Sequence, residues 1–176
     1  MKRVLAMLRG INVSGRNRVP MADLKAFFEA QGHTDVRTYI QSGNVVFSPG
    51  ASLSQLESQL SGHFGFEIPV LMRTTPEMEA LVANNPFLLE EDIATDKLHV
   101  TFLEELPAKD AVSRLETLSF LPDRFIISGK EVYVYCPDGY GNTKIHNMFF
   151  EKKLGVRATT RNWKSVNELL SMLNAK

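Results

Sequence analysis

A chain of 176 residues has room for one domain or two small ones. With 44% hydrophobic and 23% charged residues it reads as an ordinary globular protein, which excludes a disordered or fibrous chain. Basic and acidic side chains balance at 20 each, so a strongly basic, nucleic-acid-coating protein is excluded as well.

The balance is uneven along the chain. Residues 1–44 carry seven basic and three acidic side chains, residues 77–116 three and ten, and residues 142–164 six and one. Two basic ends that met in space would make a basic surface on a neutral protein; otherwise they are solvated faces. The single Cys136 forbids an internal disulfide and suits a reducing compartment. No apolar run approaches the roughly 20 residues that cross a bilayer, and Arg9-Gly10 interrupts the N-terminal apolar stretch too early for a signal peptide. Cytoplasmic residence, no membrane partner, no metal and no cofactor are the expectations.

Val4 to Leu8 reads as a buried strand leading into the polar loop Arg9 to Arg18. Pro20 suits a helix start, and Met21, Leu24, Phe27 and Phe28 give that helix an apolar face before Gly32 ends it. Short strands are predicted over 36–40 and 45–47, joined by a Ser42-Gly43-Asn44 turn. A helix carrying Leu53, Leu56, Leu60 and Phe64 follows, then a strand over 68–72. Pro76 opens another helix, and Asn84-Asn85-Pro86 stops it. The second half repeats the order: strand 98–103, helix 108–118, strands 124–127 and 132–135 around Ser128-Gly129, helix 144–154 stopped by Gly155, strand 158–161 and a terminal helix 165–173.

Thirty residues separate Gly43 from Arg73, and 32 separate Gly129 from Arg161. Fixed order at near-fixed spacing indicates an internal duplication. The expected fold class is therefore α+β, two tandem ferredoxin-like βαββαβ units with antiparallel sheets and extra helices. The halves are expected over 1–92 and 96–176, together one compact unit. They differ most after their first strands, where the first half carries Arg9 to Arg18 and the second the shorter Glu104-Glu105-Leu106-Pro107. A loop added to a repeated scaffold is where function tends to be grafted.

Several stretches also resemble a known family. Leu8-Arg9-Gly10-Ile11-Asn12-Val13 with Val19-Pro20-Met21, and Thr38 through Phe47, are similar to the two leading motifs of the bacterial DUF1697 family, a domain of unknown function. Pro69 to Arg73, Asn85-Pro86-Phe87, Gly139-Tyr140-Gly141 with Lys144, and Thr160 to Trp163 are similar to the rest. Ser14 and Asn142 depart from the family's usual residues. The resemblance implies an α+β fold of two ferredoxin-like halves and brings no established activity.

Three clusters are candidate sites. The Arg9–Arg18 loop combines Arg9, Asn12 and Asn17 with glycines ahead of a helix N-terminus, a combination suited to phosphate or carboxylate; it fits neither a Walker loop nor a dinucleotide fingerprint. The competing reading is a hydrogen-bonded brace. Tyr39, Gln41, Ser42 and Asn44 surround the first hairpin; Ser42 and Asn44 are expected to serve the turn, and Tyr39 and Gln41 to share one face by strand alternation. Lys144, Arg161, Asn162 and Trp163 form the third cluster, where the indole is either a stacking platform or a core anchor. Arg73 is expected to neutralise ligand charge together with Arg9 and Arg161.

The four histidines show no metal spacing, and no nucleophile elbow or carboxylate pair suggests a reaction. The leading expectation is a non-enzymatic protein, monomer or weak homodimer, holding a small anionic or nucleotide-like ligand in a cleft between the halves. One alternative is nucleic-acid binding through Tyr133, Tyr135 and the basic ends; another is an enzyme of unidentified reaction.

Overall fold

The computed structural model describes residues 2–176. The first repeat runs β1 (Val4–Leu8), α1 (Met21–Ala30), β2 (Thr34–Tyr39), β3 (Asn44–Ser48), α2 (Leu56–Phe64), β4 (Val70–Thr74) and α3 (Thr75–Ala83). The second runs β5 (Leu98–Leu103), α4 (Lys109–Glu116), β6 (Arg124–Ser128), β7 (Glu131–Tyr135), α5 (Asn147–Leu154), β8 (Ala158–Asn162) and α6 (Trp163–Asn174). Each repeat forms one antiparallel four-stranded sheet, ordered β2-β3-β1-β4 and β6-β7-β5-β8. This is the order of a split βαββαβ unit, and the duplication extends through a seventh element, a helix after each last strand.

Strand register shows how closely the repeats correspond. Leu5 lies opposite Arg73, and Val100 opposite Arg161. The Leu8 N–H donates to the Gly43 carbonyl and the Leu103 N–H to that of Lys130, both at 2.8 Å. The Arg9 N–H donates to the Pro69 carbonyl at 2.9 Å, and the Glu104 N–H to that of Arg157 at 2.8 Å. Arg9 and Glu104 are therefore equivalent positions, as are Arg73 and Arg161. The chain between β1 and α1 spans 9–20, whereas that between β5 and α4 spans only 104–108. The extra length of the first repeat is concentrated in this loop.

Alternation along the strands explains the layers. In the first sheet Ala6, Leu8, Val45, Phe47 and Val70 face Leu24, Phe27 and Phe28 of α1 and Leu56 and Leu60 of α2. Leu5, Met7, Val46, Leu71 and Arg73 alternate onto the opposite face and are also buried. In the second sheet Leu103, Val132, Val134 and Ala158 meet Ala111 and Leu115 of α4 and Phe150 and Leu154 of α5. By contacts the chain divides into two compact units, Met1–Glu79 with Leu169–Lys176, and Ala80–Glu168. Within the first unit Arg3 donates to the carbonyls of Leu173 and Ala175 and pairs with Asp35, tying the last turn of α6 to the start of β1.

Several element ends differ from the sequence expectation. The first hairpin turn is Ile40–Gly43, longer than a Ser-Gly pair, with φ of 49° at Ile40 and 88° at Gly43. Gln41 therefore lies in the turn, and alternation does not pair it with Tyr39. The strand expected over 68–72 starts two residues later, at Val70. The helix expected from Lys144 starts at Asn147, because the Tyr140 hydroxyl accepts the Asn147 N–H at 2.8 Å and fixes the first turn there. Strand-ending residues cap the helices after β4 and β8. Thr74 and Glu77 form a reciprocal capping box, and the Asn162 Oδ1 accepts the Ser165 N–H at 2.8 Å.

Candidate functional site

One end of the first sheet gathers the 9–20 loop, the Ile40–Gly43 turn and the chain entering β4. The loop is organised around Asn12. Its Nδ2 donates to the carbonyls of Val19 (2.9 Å) and Gln41 (2.8 Å), while its Oδ1 accepts the Val19 N–H at 2.8 Å. One side chain thus closes the loop on itself and pins it to the hairpin. The Asn17 Nδ2 donates to the Gly10 carbonyl at 3.0 Å, and the Asn12 N–H to that of Asn17 at 3.0 Å. A short Val13–Arg16 bridge turns the tip. Asn44, fully buried, donates to the Tyr39 carbonyl at 2.9 Å and to Ser42 Oγ at 3.1 Å, holding the turn from beneath.

These bonds hold a strained backbone. Asn12, Ser14, Asn17 and Ile40 all have φ near 50°, and Gly10, Gly15 and Gly43 are positive too. Left-handed conformers cost non-glycine residues roughly 1–2 kcal/mol each, and such strain persists where surrounding bonds over-determine it. Asn tolerates this region because its short amide can bond locally, which explains two of the four positions. Ile11 and Val19 are buried beneath the loop, anchoring its two ends in the core.

The anchored loop leaves its charges outward. Arg16 and Arg18 are exposed, and among the described residues their guanidinium groups have no ion pair or hydrogen bond. Arg9 is half-buried at the root of the loop. No acidic residue occurs between Arg3 and Asp23. The second repeat resolves the same place differently. Glu104, the counterpart of Arg9, meets Arg157 in a two-bond ion pair, with Nη2···Oε1 at 2.8 Å and Nε···Oε2 at 3.1 Å. The Glu104 charge is paired at the end of the second sheet, whereas on the loop of the first Arg16 and Arg18 have no ionic partner among the described residues. Chemically, the loop end is a rigid backbone scaffold presenting cations to solvent.

The other predicted residues lie elsewhere. Arg73 is 2% exposed and Arg161 7% exposed, each on the sheet face away from its unit's two cross-over helices. Arg73 Nη1 donates to the Met72 carbonyl at 2.9 Å; Arg161 Nη1 donates to the Thr160 carbonyl at 3.0 Å and to Thr159 Oγ1 at 2.8 Å. Burial lowers the Arg161 pKa to about 10. Trp163 is buried at the start of α6, and Asn162 spends its side chain on the helix cap. Lys144 is exposed on the rim of a cavity of about 560 Å³ that Pro122, Asp123, Asp138 and Asn142 also line. Tyr39 is half-buried on β2, and Gln41 and Ser42 occupy the turn. The structure therefore brings Arg9, Asn12, Asn17, Gln41, Ser42 and Asn44 together in the first unit. Lys144, Arg161, Asn162 and Trp163 belong to the second.

Neither strand tyrosine presents an open ring. Tyr133 is 2% exposed, and its hydroxyl donates to the Leu81 carbonyl at 2.8 Å; burial pushes its pKa up to about 12. Tyr135 lies 5.8 Å from the Phe87 ring, with the Arg124 guanidinium 5.5 Å above it. Sequence reasoning missed Arg124, which stacks on both rings and pairs with Glu90 at 3.0 Å. It counted Arg16 and Arg18 among the three arginines of the loop without singling them out as its outward charges, although the absence of acidic neighbours was a legible signal. Among the described residues no group of three metal-ligating side chains converges and no helix is long and apolar enough to cross a membrane.

Comparison with known proteins fits this architecture. No curated protein matches the chain. A solved structure described as that of conserved bacterial protein SP0830 from Streptococcus pneumoniae is 26% identical, covers 99% of both chains and superposes with a TM-score of 0.76. A family model described as "Protein of unknown function (DUF1697)" matches residues 1–133, which include the whole arginine loop and the first hairpin. The chain belongs to the DUF1697 family.

Proposed function

We propose that the protein binds a small anionic ligand of nucleotide-like, phosphate-bearing chemistry at the Arg9–Arg18 loop of the first unit. The observation that carries this reading is the contrast between equivalent ends of the two sheets. One is neutralised by Glu104–Arg157, and the other carries Arg16 and Arg18 without ionic partners on a loop held in strained conformations. A guanidinium fork donates two parallel hydrogen bonds to phosphate oxygens. The uncapped N-terminus of α1 follows directly, since Pro20 offers no side-chain cap. In this reading Asn12, Asn17 and Asn44 shape the loop, and the arginines bind.

Isothermal titration with ATP, ADP and inorganic phosphate at low salt tests it. The expected result is saturable binding that weakens with ionic strength, falling at least tenfold in R16A/R18A, a loss of about 1.4 kcal/mol. Both side chains are exposed, so the double variant keeps its fold. Absence of heat across the panel, or equal affinity in the double variant, contradicts the proposal.

A further inference from the structure

The four edge strands are not treated alike. An open edge presents unpaired N–H and C=O groups to any passing strand, and proteins usually blunt it. On β4 the outward groups belong to Val70, Met72 and Thr74, because Arg9 and Pro69 form a bonded pair and the pattern alternates. The Val70 N–H is taken by Glu57, the Met72 carbonyl by Arg73 and the Thr74 N–H by Glu77. On β8 the Ala158 carbonyl is taken by Asn147 and the Thr160 carbonyl by Arg161. The two buried arginines, at equivalent positions, thus each occupy an outward carbonyl of their edge. The β2 edge is broken by a bulge between Thr34 and Arg37 and carries the charges of Asp35 and Arg37.

The β6 edge has no bulge and carries a single charge, Arg124, at its first residue. Ser128 and Glu131 flank its two-residue turn as a bonded pair, so Ile126 and Arg124 bond inward while Phe125 and Ile127 point their N–H and C=O groups outward. Among the described residues nothing meets those outward groups. Ile126 is 36% exposed, and a cavity of about 240 Å³ follows the edge, with Phe125 contributed from one face and Ile126 from the other. Leu121, 74% exposed, stands on its rim.

We propose that β6 is a self-association edge, pairing antiparallel with β6 of a second molecule about a two-fold axis at Ile126. This register sets Phe125 opposite Ile127 of the second molecule and Ile126 opposite its own counterpart, so both faces of the junction are apolar. The outward backbone groups of Phe125 and Ile127 then form the bonded pairs, as their direction demands. Charges agree as well. Arg124, the only charged residue of the strand, falls opposite Ser128, and Asp123 lies diagonal to Lys130; no like charges meet. A two-fold contact of this kind closes on itself as a dimer, and it does not depend on ligand binding at the arginine loop.

Light scattering during size exclusion, from low micromolar to near-millimolar protein, tests the proposal together with two variants. Wild type is expected to move toward twice its 19.8 kDa mass as concentration rises. I126K, which places a charge at the axis, is expected to stay monomeric with unchanged far-UV circular dichroism. I126C is expected to cross-link under mild oxidation, since facing residues of a non-bonded antiparallel pair sit about 4.5 Å apart between Cα atoms, within disulfide reach; the buried Cys136 does not compete. Wild type that remains monomeric throughout, including the case in which only a foreign extended peptide occupies the edge, overturns the proposal. So does a dimer that persists in I126K, or S128C cross-linking as readily as I126C.

Discussion

Replacing Asn12 by alanine removes the loop's central fastener. Three hydrogen bonds of 2.8–2.9 Å are lost, two of them to the backbone of buried Val19. A typical bond contributes about 0.5–1.5 kcal/mol net, and the half-exposed site lets water replace part of that, leaving about 2 kcal/mol. Asn12 also sits at φ 52°, where alanine costs about 1 kcal/mol more. N12A is thus expected to lose about 3 kcal/mol. N12G removes the same bonds without the conformational penalty and is expected to lose about 1 kcal/mol less. Urea denaturation followed by circular dichroism gives both values, with an unchanged m-value showing that compactness is retained. N12A within about 0.5 kcal/mol of wild type, the usual range for a surface substitution, would refute the view that this side chain holds the loop. N12G less stable than N12A would refute the strain component.

Other expectations follow from single features. Gly50 has no room for a methyl group: a Cβ there would lie 1.9 Å from the Gly32 carbonyl oxygen, so G50A is expected to lose at least about 2 kcal/mol in the same denaturation assay. Y133F leaves the Leu81 carbonyl without the donor that reaches it at 2.8 Å and is expected to lose about 1–2 kcal/mol. His33 and His99 are both held below the ordinary histidine pKa of 6.5 by burial, and His33 Nδ1 accepts the Gly50 N–H at 3.2 Å. As pH falls below 6.5 the unfolded chain binds protons before the folded one, so stability is present above that value and declines beneath it. Melting temperatures between about pH 5 and 7 should therefore fall on acidification, with a shallower slope in H99F; an unchanged slope would show that His99 titrates alike in both states.

The duplication was legible because it depends on local patterns: apolar periodicity, turn glycines and spacing between like residues. The helix that closes each repeat was visible in the repeated order of elements, but its shared cap was not, since Thr74 and Asn162 are different residues performing the same capping task. Side-chain destinations that depend on register were hidden. Arg73 and Arg161 attract attention as charges, yet each lies buried against the carbonyl of its own preceding residue, a fate set by an edge position in a sheet. Gln41 was assigned to a strand because the Ile40 conformation that ends β2 is one isoleucine rarely adopts. The arginine loop was found by composition, but its division of labour, with asparagines inward and arginines outward, required the fold.

The most direct measurement is a backbone amide titration by two-dimensional NMR, with ATP added to wild type and to R16A/R18A. Binding at the loop predicts progressive shifts for residues 10–18 and 40–43, absent from the double variant. Shifts confined to the second unit, or a wild-type spectrum that ATP leaves unmoved, would contradict it.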